Sequence, residues 1–196
     1  MPSFTCRDCG TSFTLSQSVL DRFPGWTPRQ CRSCRDGTNR AGPAQTSPGA
    51  DSDPDSGVFT DGGASPNPGP GGWGAVYVEN GAIIAESYGA DSDTTNNRME
   101  LTALIEALKL VPQGTSMVVY SDSNLAVRTI TEWAAGWEKR GWKRKSGPVE
   151  NLDLVRRAYN GYRSRPELEL RWIKAHAESR WNEYADALAN RWRDGA

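Results

Sequence analysis

The chain changes character at Val58. Beyond it, apolar and polar positions recur with the periods of strands and helices. Val58-Phe59-Thr60-Asp61 is β-rich and runs into GGASPNPGPGG, which predicts a short strand and a turn. Residues 73–79 and 82–88 are two further β-rich runs. Asn80-Gly81 joins them, a dipeptide suited to a two-residue hairpin. Leu101, Leu104, Ile105 and Leu108 repeat at three and four residues, so 98–111 is predicted as a helix. Asn97-Arg98-Met99-Glu100 resembles a capping box at its start. Residues 116–120 read as a buried strand ending at Asp122. Helical spacing returns over 123–135 and 149–163, and Leu168, Leu170 and Trp172 alternate as a strand. Asn182 is placed as the cap of a last helix whose Ala185, Leu188, Ala189 and Trp192 share a face.

The order βββαβααβα joins an antiparallel meander to strands that alternate with helices and therefore need parallel neighbours. The expected fold class is α/β, a mixed five-stranded sheet of three antiparallel strands plus parallel strands, flanked by helices. Residues 36–56 contain no Val, Ile, Leu, Met or aromatic residue. Such a segment cannot offset its ordering entropy and reads as a disordered linker. The expected organisation is a small domain at 1–35, a linker at 36–57 and a larger domain at 58–196.

Composition narrows the function. The 196 residues carry 23 Lys and Arg against 24 Asp and Glu, a net charge of -1. That excludes a uniformly basic nucleic-acid binder. No run approaches the roughly 18 apolar residues of a membrane helix. The N-terminus lacks the pattern of a secretory signal, so a cytoplasmic protein is expected. The neutral total hides an asymmetry: two basic residues face eight acidic ones over 58–125, and fifteen face ten over 126–196. An acidic half beside a basic half suits a divalent metal held next to a polyanion, although segregated solvated charges give the same count.

The four cysteines form two C-x-x-C pairs, Cys6 with Cys9 and Cys31 with Cys34, 21 residues apart. Four thiolates at that spacing suit one structural zinc, which would supply folding energy that so short a segment lacks. Disulfides need an oxidising compartment, and a redox dithiol needs only one pair. The segment reads as a zinc ribbon. Its Arg7, Arg29, Arg32 and Arg35, with Phe13, Phe23 and Trp26 among them, suit nucleic-acid contact or a small core with solvated charges.

Four carboxylates stand out in the larger domain. Asp61 and Asp122 follow strands, where open α/β sheets gather ligands. Glu100 is in a first helical turn, and Asp186 is about one turn into the last helix. Singly, each has a plain structural reading as a turn or capping residue. Gathered at one sheet end they would repel unless a divalent cation neutralised them, and oxygen ligands favour Mg or Mn. His176, the sole histidine, follows a strand and suits proton relay near neutral pH or an ordinary surface position. Trp133, Trp137 and Trp142 alternate with Lys139, Arg140, Lys143, Arg144 and Lys145, a footprint for phosphate backbone.

Together FTDGGASPNPGPGGWGAV, TTNNRMEL, YSDS, the Trp-x3-Trp-x4-Trp basic segment, WIKAH and NEYADALA resemble type 1 ribonuclease H over residues 58–193. The resemblance implies an endonuclease that hydrolyses the RNA strand of RNA–DNA hybrids with two divalent ions, leaving 5′-phosphate and 3′-hydroxyl ends. Asp61, Glu100, Asp122 and Asp186 correspond to the family's metal ligands. His176 corresponds to its loop histidine. Asn67, Asn96, Asn97 and Asn124 occupy positions that contact the hybrid's minor groove, and residues 133–145 resemble the handle that grips the DNA strand. Gly63 replaces a frequent Ser, Asn124 replaces a frequent Gln, and the loop AHAESRWNE lacks a glycine. The ribbon lies outside the usual pattern, where it would bind nucleic acid or a protein partner. A monomer is expected, with no membrane association. Two other readings are a catalytically silent hybrid-binding scaffold and a zinc-ribbon adaptor of replication or transcription machinery.

Overall fold

The structure is a computed structural model that describes residues 2–5, 12–14, 54–174 and 179–195. The chain divides into two units, Met1–Asp51 and Ser52–Ala196. In the first, β1 (Ser3–Thr5) and β2 (Ser12–Thr14) pair antiparallel, with Phe4 opposite Phe13. Cys6 and Cys9 fall between them in sequence. All four cysteines lie outside the described residues.

The second unit is built on a five-stranded sheet. Its strands are β3 (Gly57–Ala64), β4 (Gly69–Glu79), β5 (Ala82–Thr94), β6 (Met117–Ser121) and β9 (Leu168–Trp172). They lie in the order β5-β4-β3-β6-β9. The first three form the expected meander, and β6 and β9 run parallel to β3. A two-residue pair, β7 (Lys143–Arg144) and β8 (Gly147–Pro148), is separate. Helix α1 (Asn96–Leu110) precedes β6. The segment α2 (Asn124–Arg128), a π-turn (Thr129–Trp133) and α3 (Ala134–Lys139) follows it. Helix α4 (Leu152–Arg163) precedes β9, and α5 (Arg180–Ala189) leads into a 3-10 turn, Arg191–Gly195.

Strand periodicity sends successive side chains to opposite faces. Val58, Ala75, Tyr77, Val119 and Leu170 pack under α1 and α4, against Leu101, Leu104, Leu154 and Ala158. Phe59, Val76, Val78 and Tyr120 pack under α5, against Trp181, Ala185 and Leu188. With both faces covered, the central strands read as continuous apolar runs. At the far end of α1, buried Arg165 donates to the carbonyls of Leu108, Val111 and Pro112 at 2.9, 3.1 and 2.9 Å. It thereby satisfies acceptors that a helix end leaves open.

Several elements differ from expectation. Gly57, assigned to the linker by composition, pairs with Val78. Asp55 O and Ser56 Oγ already accept from Gly81 N and Asn80 N at the hairpin. The hairpin itself has positive φ at Asn80 (50°) and Gly81 (75°), as its sequence demands. The cap of α1 is Thr95, whose Oγ1 accepts from Arg98 N, and not the Asn97 box. Helix α5 is capped by Ser179 through Asn182 N, so Asn182 lies a turn inside, buried. Asp186 is accordingly nearly two turns in. The residues from Thr129 to Trp133 widen the helical run into a π-turn.

Candidate active site

The parallel ladder between β3 and β6 ends at the pair Thr60↔Ser121. The next residue on each strand is a carboxylate, Asp61 and Asp122. Asp61 lies mid-strand, because β3 continues along β4 and pairs it with Gly74. Asp122 leaves the sheet, and its backbone carbonyl accepts from Trp172 Nε1 on β9 at 3.0 Å. Glu100 reaches the same place through a missing side chain. A Cβ on Gly62 would stand 2.4 Å from Met99 C and 2.5 Å from Glu100 N. Glycine there lets the first turn of α1 rest on the strand beside Asp61. Gly74 does the same for α5, where a Cβ would meet Ala185 O at 2.5 Å.

Asp61, Glu100 and Asp122 each offer an oxygen within 4.8 Å of the others. Asp186, from α5, stands beyond that triad, within hydrogen-bonding reach of Asp61. All four line one cavity of about 450 Å³ together with Asn96, Asn182, Asn190 and Arg193. Burial, the Asp122 charge and the Asp186 carboxyl push Asp61 from 3.8 up to about 7, against a lowering backbone hydrogen bond from Gly62. Burial and the charges of Asp61 and Asp122 raise Glu100 well above the usual carboxylate range. Glu100 Oε2 and Asp122 Oδ1 are buried without a hydrogen-bond partner. A cluster of acids that repel one another, with two orphaned oxygens, fits an oxygen-ligated divalent cation.

Three neighbours orient the acids. Asn182 Nδ2 donates to Asp122 Oδ2 at 3.4 Å. Asn190 Nδ2 donates to Asp186 Oδ1 at 2.8 Å and to its carbonyl at 2.9 Å. Trp172 holds the Asp122 backbone, as above. None was singled out for this role from sequence. For the two asparagines the signal is there: 182, 186 and 190 are spaced by four and share a helix face.

The asparagines predicted to bind substrate are exposed. Two of them interlock at the mouth: Asn96 Oδ1 accepts from Ala64 N at 2.7 Å, and Asn67 Oδ1 accepts from Asn96 N at 3.2 Å. These bonds fix the amides and leave their Nδ2 groups without a partner among the described residues. Asn97 lines a second cavity with Ser123, Trp133, Trp137 and Arg144. Asn124 opens α2, its backbone N donating to Asp122 O at 3.1 Å.

The structure divides the basic segment. Trp133 and Trp137 lie 6.0 Å apart in that second cavity. Trp142 does not join them. Positive φ at Gly141 (65°) and Trp142 (62°) turns the chain back, and its ring packs edge-on against Tyr159 at 6.0 Å. Arg144 pairs with Glu150 at 2.6 Å. Lys139, Arg140, Lys143 and Lys145 are exposed and line neither cavity. His176 lies outside the described residues.

The RNase H family profile matches residues 53–193. The chain belongs to the RNase H family. Its activity class is that of a ribonuclease H, an endonuclease. The chain is 46% identical over 134 residues to a ribonuclease H of Hahella chejuensis, covering 68% of this chain and 89% of that one. It is 45% identical over 145 residues to a ribonuclease H of Paracidovorax citrulli, covering 71% and 94%. Among solved structures, RNase H1 of the archaeon Halobacterium salinarum NRC-1 is similar, at TM-score 0.54 and 27% identity over 72% of this chain and 98% of that one. LC11-RNase H1, solved in complex with RNA/DNA hybrid, is similar at TM-score 0.51 and 30% identity, covering 68% and 93%. The matched region takes in the whole RNase H sheet and the four carboxylates. No helix among the described residues is long and apolar enough to cross a membrane.

Proposed function

We propose that the protein cuts the RNA strand of RNA–DNA hybrids internally, leaving 5′-phosphate and 3′-hydroxyl ends, with Asp61, Glu100, Asp122 and Asp186 holding two Mg or Mn ions. The observation that carries this is the cluster of half-buried, mutually repelling carboxylates, Asp61, Glu100 and Asp122, with two buried, unpartnered oxygens. Bound there, a divalent pair supplies an activated water and stabilises the departing oxygen. The chain does the rest. Asn182 and Asn190 hold Asp122 and Asp186 in place, and Trp172 fixes the end of β6. The Nδ2 groups of Asn67 and Asn96 donate to acceptors in the minor groove, with Asn97 and Asn124 along the same track. Trp133 and Trp137 seat the DNA strand beside Asn97 and Ser123. The exposed Lys139, Arg140, Lys143 and Lys145 supply long-range attraction, and Trp142 supports the handle from within. His176 would assist proton transfer or product release.

The deciding experiment is metal-dependent cleavage of an end-labelled hybrid beside single-stranded RNA, duplex RNA and duplex DNA. Cutting confined to RNA in the hybrid is expected. Tight hybrid binding without cutting under either metal would establish the scaffold reading instead.

The acid cluster also predicts a pH dependence. Asp61 titrates from 3.8 to about 7 on folding. Between those values the folded state holds a proton that the unfolded state has lost. This group's contribution to stability is therefore full below about 4 and lost as pH rises to about 7. Metal binding must displace that proton. Glu100, also raised, must lose its proton as well, so at limiting magnesium cleavage should rise at least roughly tenfold per pH unit approaching 7, and saturating magnesium should move the rise to lower pH. A pH profile that ignores magnesium concentration would contradict the assignment.

For residues 1–35 we propose a zinc ribbon through Cys6, Cys9, Cys31 and Cys34, joined by a flexible linker to a monomeric catalytic domain. The paired strands flanking Cys6 and Cys9 support it. Four zinc-bound thiolates suit a reducing compartment, the cytoplasm. Deleting residues 1–51, which spares the contacts of Asp55, Ser56 and Gly57 with the hairpin, should leave the cleavage rate constant within about twofold and weaken hybrid binding, measured by anisotropy. Unchanged binding would point to a protein partner.

A further inference from the structure

We propose that Arg193 holds a backbone phosphate of the nucleic-acid strand lying over the carboxylate cavity. The proposal deepens the hybrid-cleavage reading and rests on it.

The 3-10 turn Arg191–Gly195 continues from α5, with Arg193 N donating to Asn190 O at 3.0 Å. Its first two side chains are committed to the sheet. The Arg191 guanidinium sits 4.5 Å above the Tyr88 ring and 3.5 Å from Glu86, which also accepts from Tyr184 Oη at 2.6 Å. Trp192 lies over Gly72, where a Cβ would come within 2.4 Å of its Cδ1. With both neighbours anchored on β4 and β5, the third side chain, Arg193, lines the cavity beside Asp61, Glu100, Asp122 and Asp186.

Arg193 is a cation among acids, yet it forms no ion pair with any described residue. Its guanidinium rests 5.2 Å from the ring of Trp192. Asp186, an acid of the same cavity, is held instead by a neutral group, since Asn190 Nδ2 donates to Asp186 Oδ1. That choice matters chemically. An amide orients the carboxylate and leaves its charge available, whereas a guanidinium would cancel it. Arg193 is thereby left with its donors free at the rim of the cavity. A planar fork of N–H donors matches two oxygens of a phosphate. Free phosphate is a poor occupant, because the surrounding acids repel an isolated anion. A phosphodiester held by other contacts along the same strand is carried past that barrier. The Nδ2 groups of Asn96 and Asn67, at the mouth of the same cavity, are such contacts.

The test uses the full chain. Hybrid binding is followed by fluorescence anisotropy between about 50 and 200 mM salt, with magnesium present and Asp122→Asn blocking turnover. Arg193→Ala should weaken binding about 5- to 20-fold and lower the slope of log affinity against log salt by about one. Arg193→Lys should keep the slope and lose part of the affinity, since it retains a point charge without the fork. In otherwise unaltered enzyme, Arg193→Ala should raise KM much more than it lowers kcat. Inorganic phosphate at millimolar concentration should not compete. An unchanged affinity and slope in Arg193→Ala overturns the proposal. So does an unchanged slope together with a changed magnesium dependence of cleavage in otherwise unaltered enzyme, which would assign Arg193 to neutralising the acids. If the unaltered chain fails to cut hybrid, the functional reading falls, and this proposal falls with it. If it cuts and the slope does not move, the proposal falls alone.

Discussion

Asp122→Asn is expected to lower hybrid cleavage by at least roughly 10³-fold, about 4 kcal/mol of transition-state stabilisation, while making the metal-free protein more stable. The two effects have one cause. Asp122 stands beside Asp61 at the end of the parallel ladder, and its charge raises both Asp61 and Glu100. An isosteric amide removes that repulsion and can still accept from Asn182 Nδ2, so the fold keeps its contacts and sheds a penalty. Each kcal/mol gained moves the melting temperature of a chain this size by about 2–4 °C. The same substitution removes Asp122 Oδ1 as a carboxylate ligand, so the rise in melting temperature produced by magnesium in the parent should shrink or vanish. Cleavage is read in single turnover on end-labelled hybrid, and melting is read with a chelator and then with magnesium. Activity within tenfold of the parent would exclude Asp122 as a metal ligand. Lost activity with lowered metal-free stability would mean that the carboxylate serves the fold.

The sheet and its helices were legible wherever burial imposes a period. Val58 to Thr60, Ala75 to Val78 and Leu101 to Leu108 are buried in the pattern that their spacing announces. Reading failed where glycine or polar residues do structural work through their neighbours. β4 begins at Gly69 and β5 ends at Thr94, well outside the apolar runs. The segment ADSDT lies beyond the predicted run 82–88, but the ladder opposite Gly69–Gly72 carries it along the edge of the sheet to the buried Thr94. The caps slipped for a related reason. Asn side chains suit capping, but Asn97 already lies inside the first turn of α1 and Asn182 is spent on Asp122, leaving Thr95 and Ser179 to cap. In the site, the four carboxylates carry their chemistry in their own residue type. Of the residues that orient them, Asn190 is readable four positions after Asp186, whereas the contacts of Asn182 and Trp172 with Asp122 appear only when β6, β9 and α5 are brought together. Arg193 was illegible for the same reason, since its place depends on Trp192 lying over Gly72, distant in sequence.

The dependence of the chemistry on an absent side chain can be measured directly. Gly62→Ala is expected to cost about 2–4 kcal/mol of stability and to slow cleavage about 10²-fold or more. A methyl group there would meet Met99 C, Glu100 N and Met99 O at 2.4, 2.5 and 2.7 Å. All three atoms are backbone of the first turn of α1, so no rotamer change relieves the contact. The helix must lift from β3. Its lower face is fastened through Leu101 and Leu104 in the core, so lifting the turn either strains that packing or tilts the helix about it. Either route carries Glu100 away from Asp61 and opens a triad now held within 4.8 Å. The neighbouring Gly63 supplies the control. A Cβ at Gly63 would meet only Asn96 Oδ1, at 4.0 Å, so Gly63→Ala should leave stability and cleavage near those of the parent. Chemical denaturation and single-turnover cleavage of the two variants separate the possibilities. If Gly62→Ala loses stability but cleaves normally, α1 relaxes without moving Glu100, and close approach to β3 is a matter of packing alone. If excess magnesium restores part of its cleavage, the loss lies in metal affinity, as expected when one ligand of the cluster is displaced and the other carboxylates stay where the two strands put them.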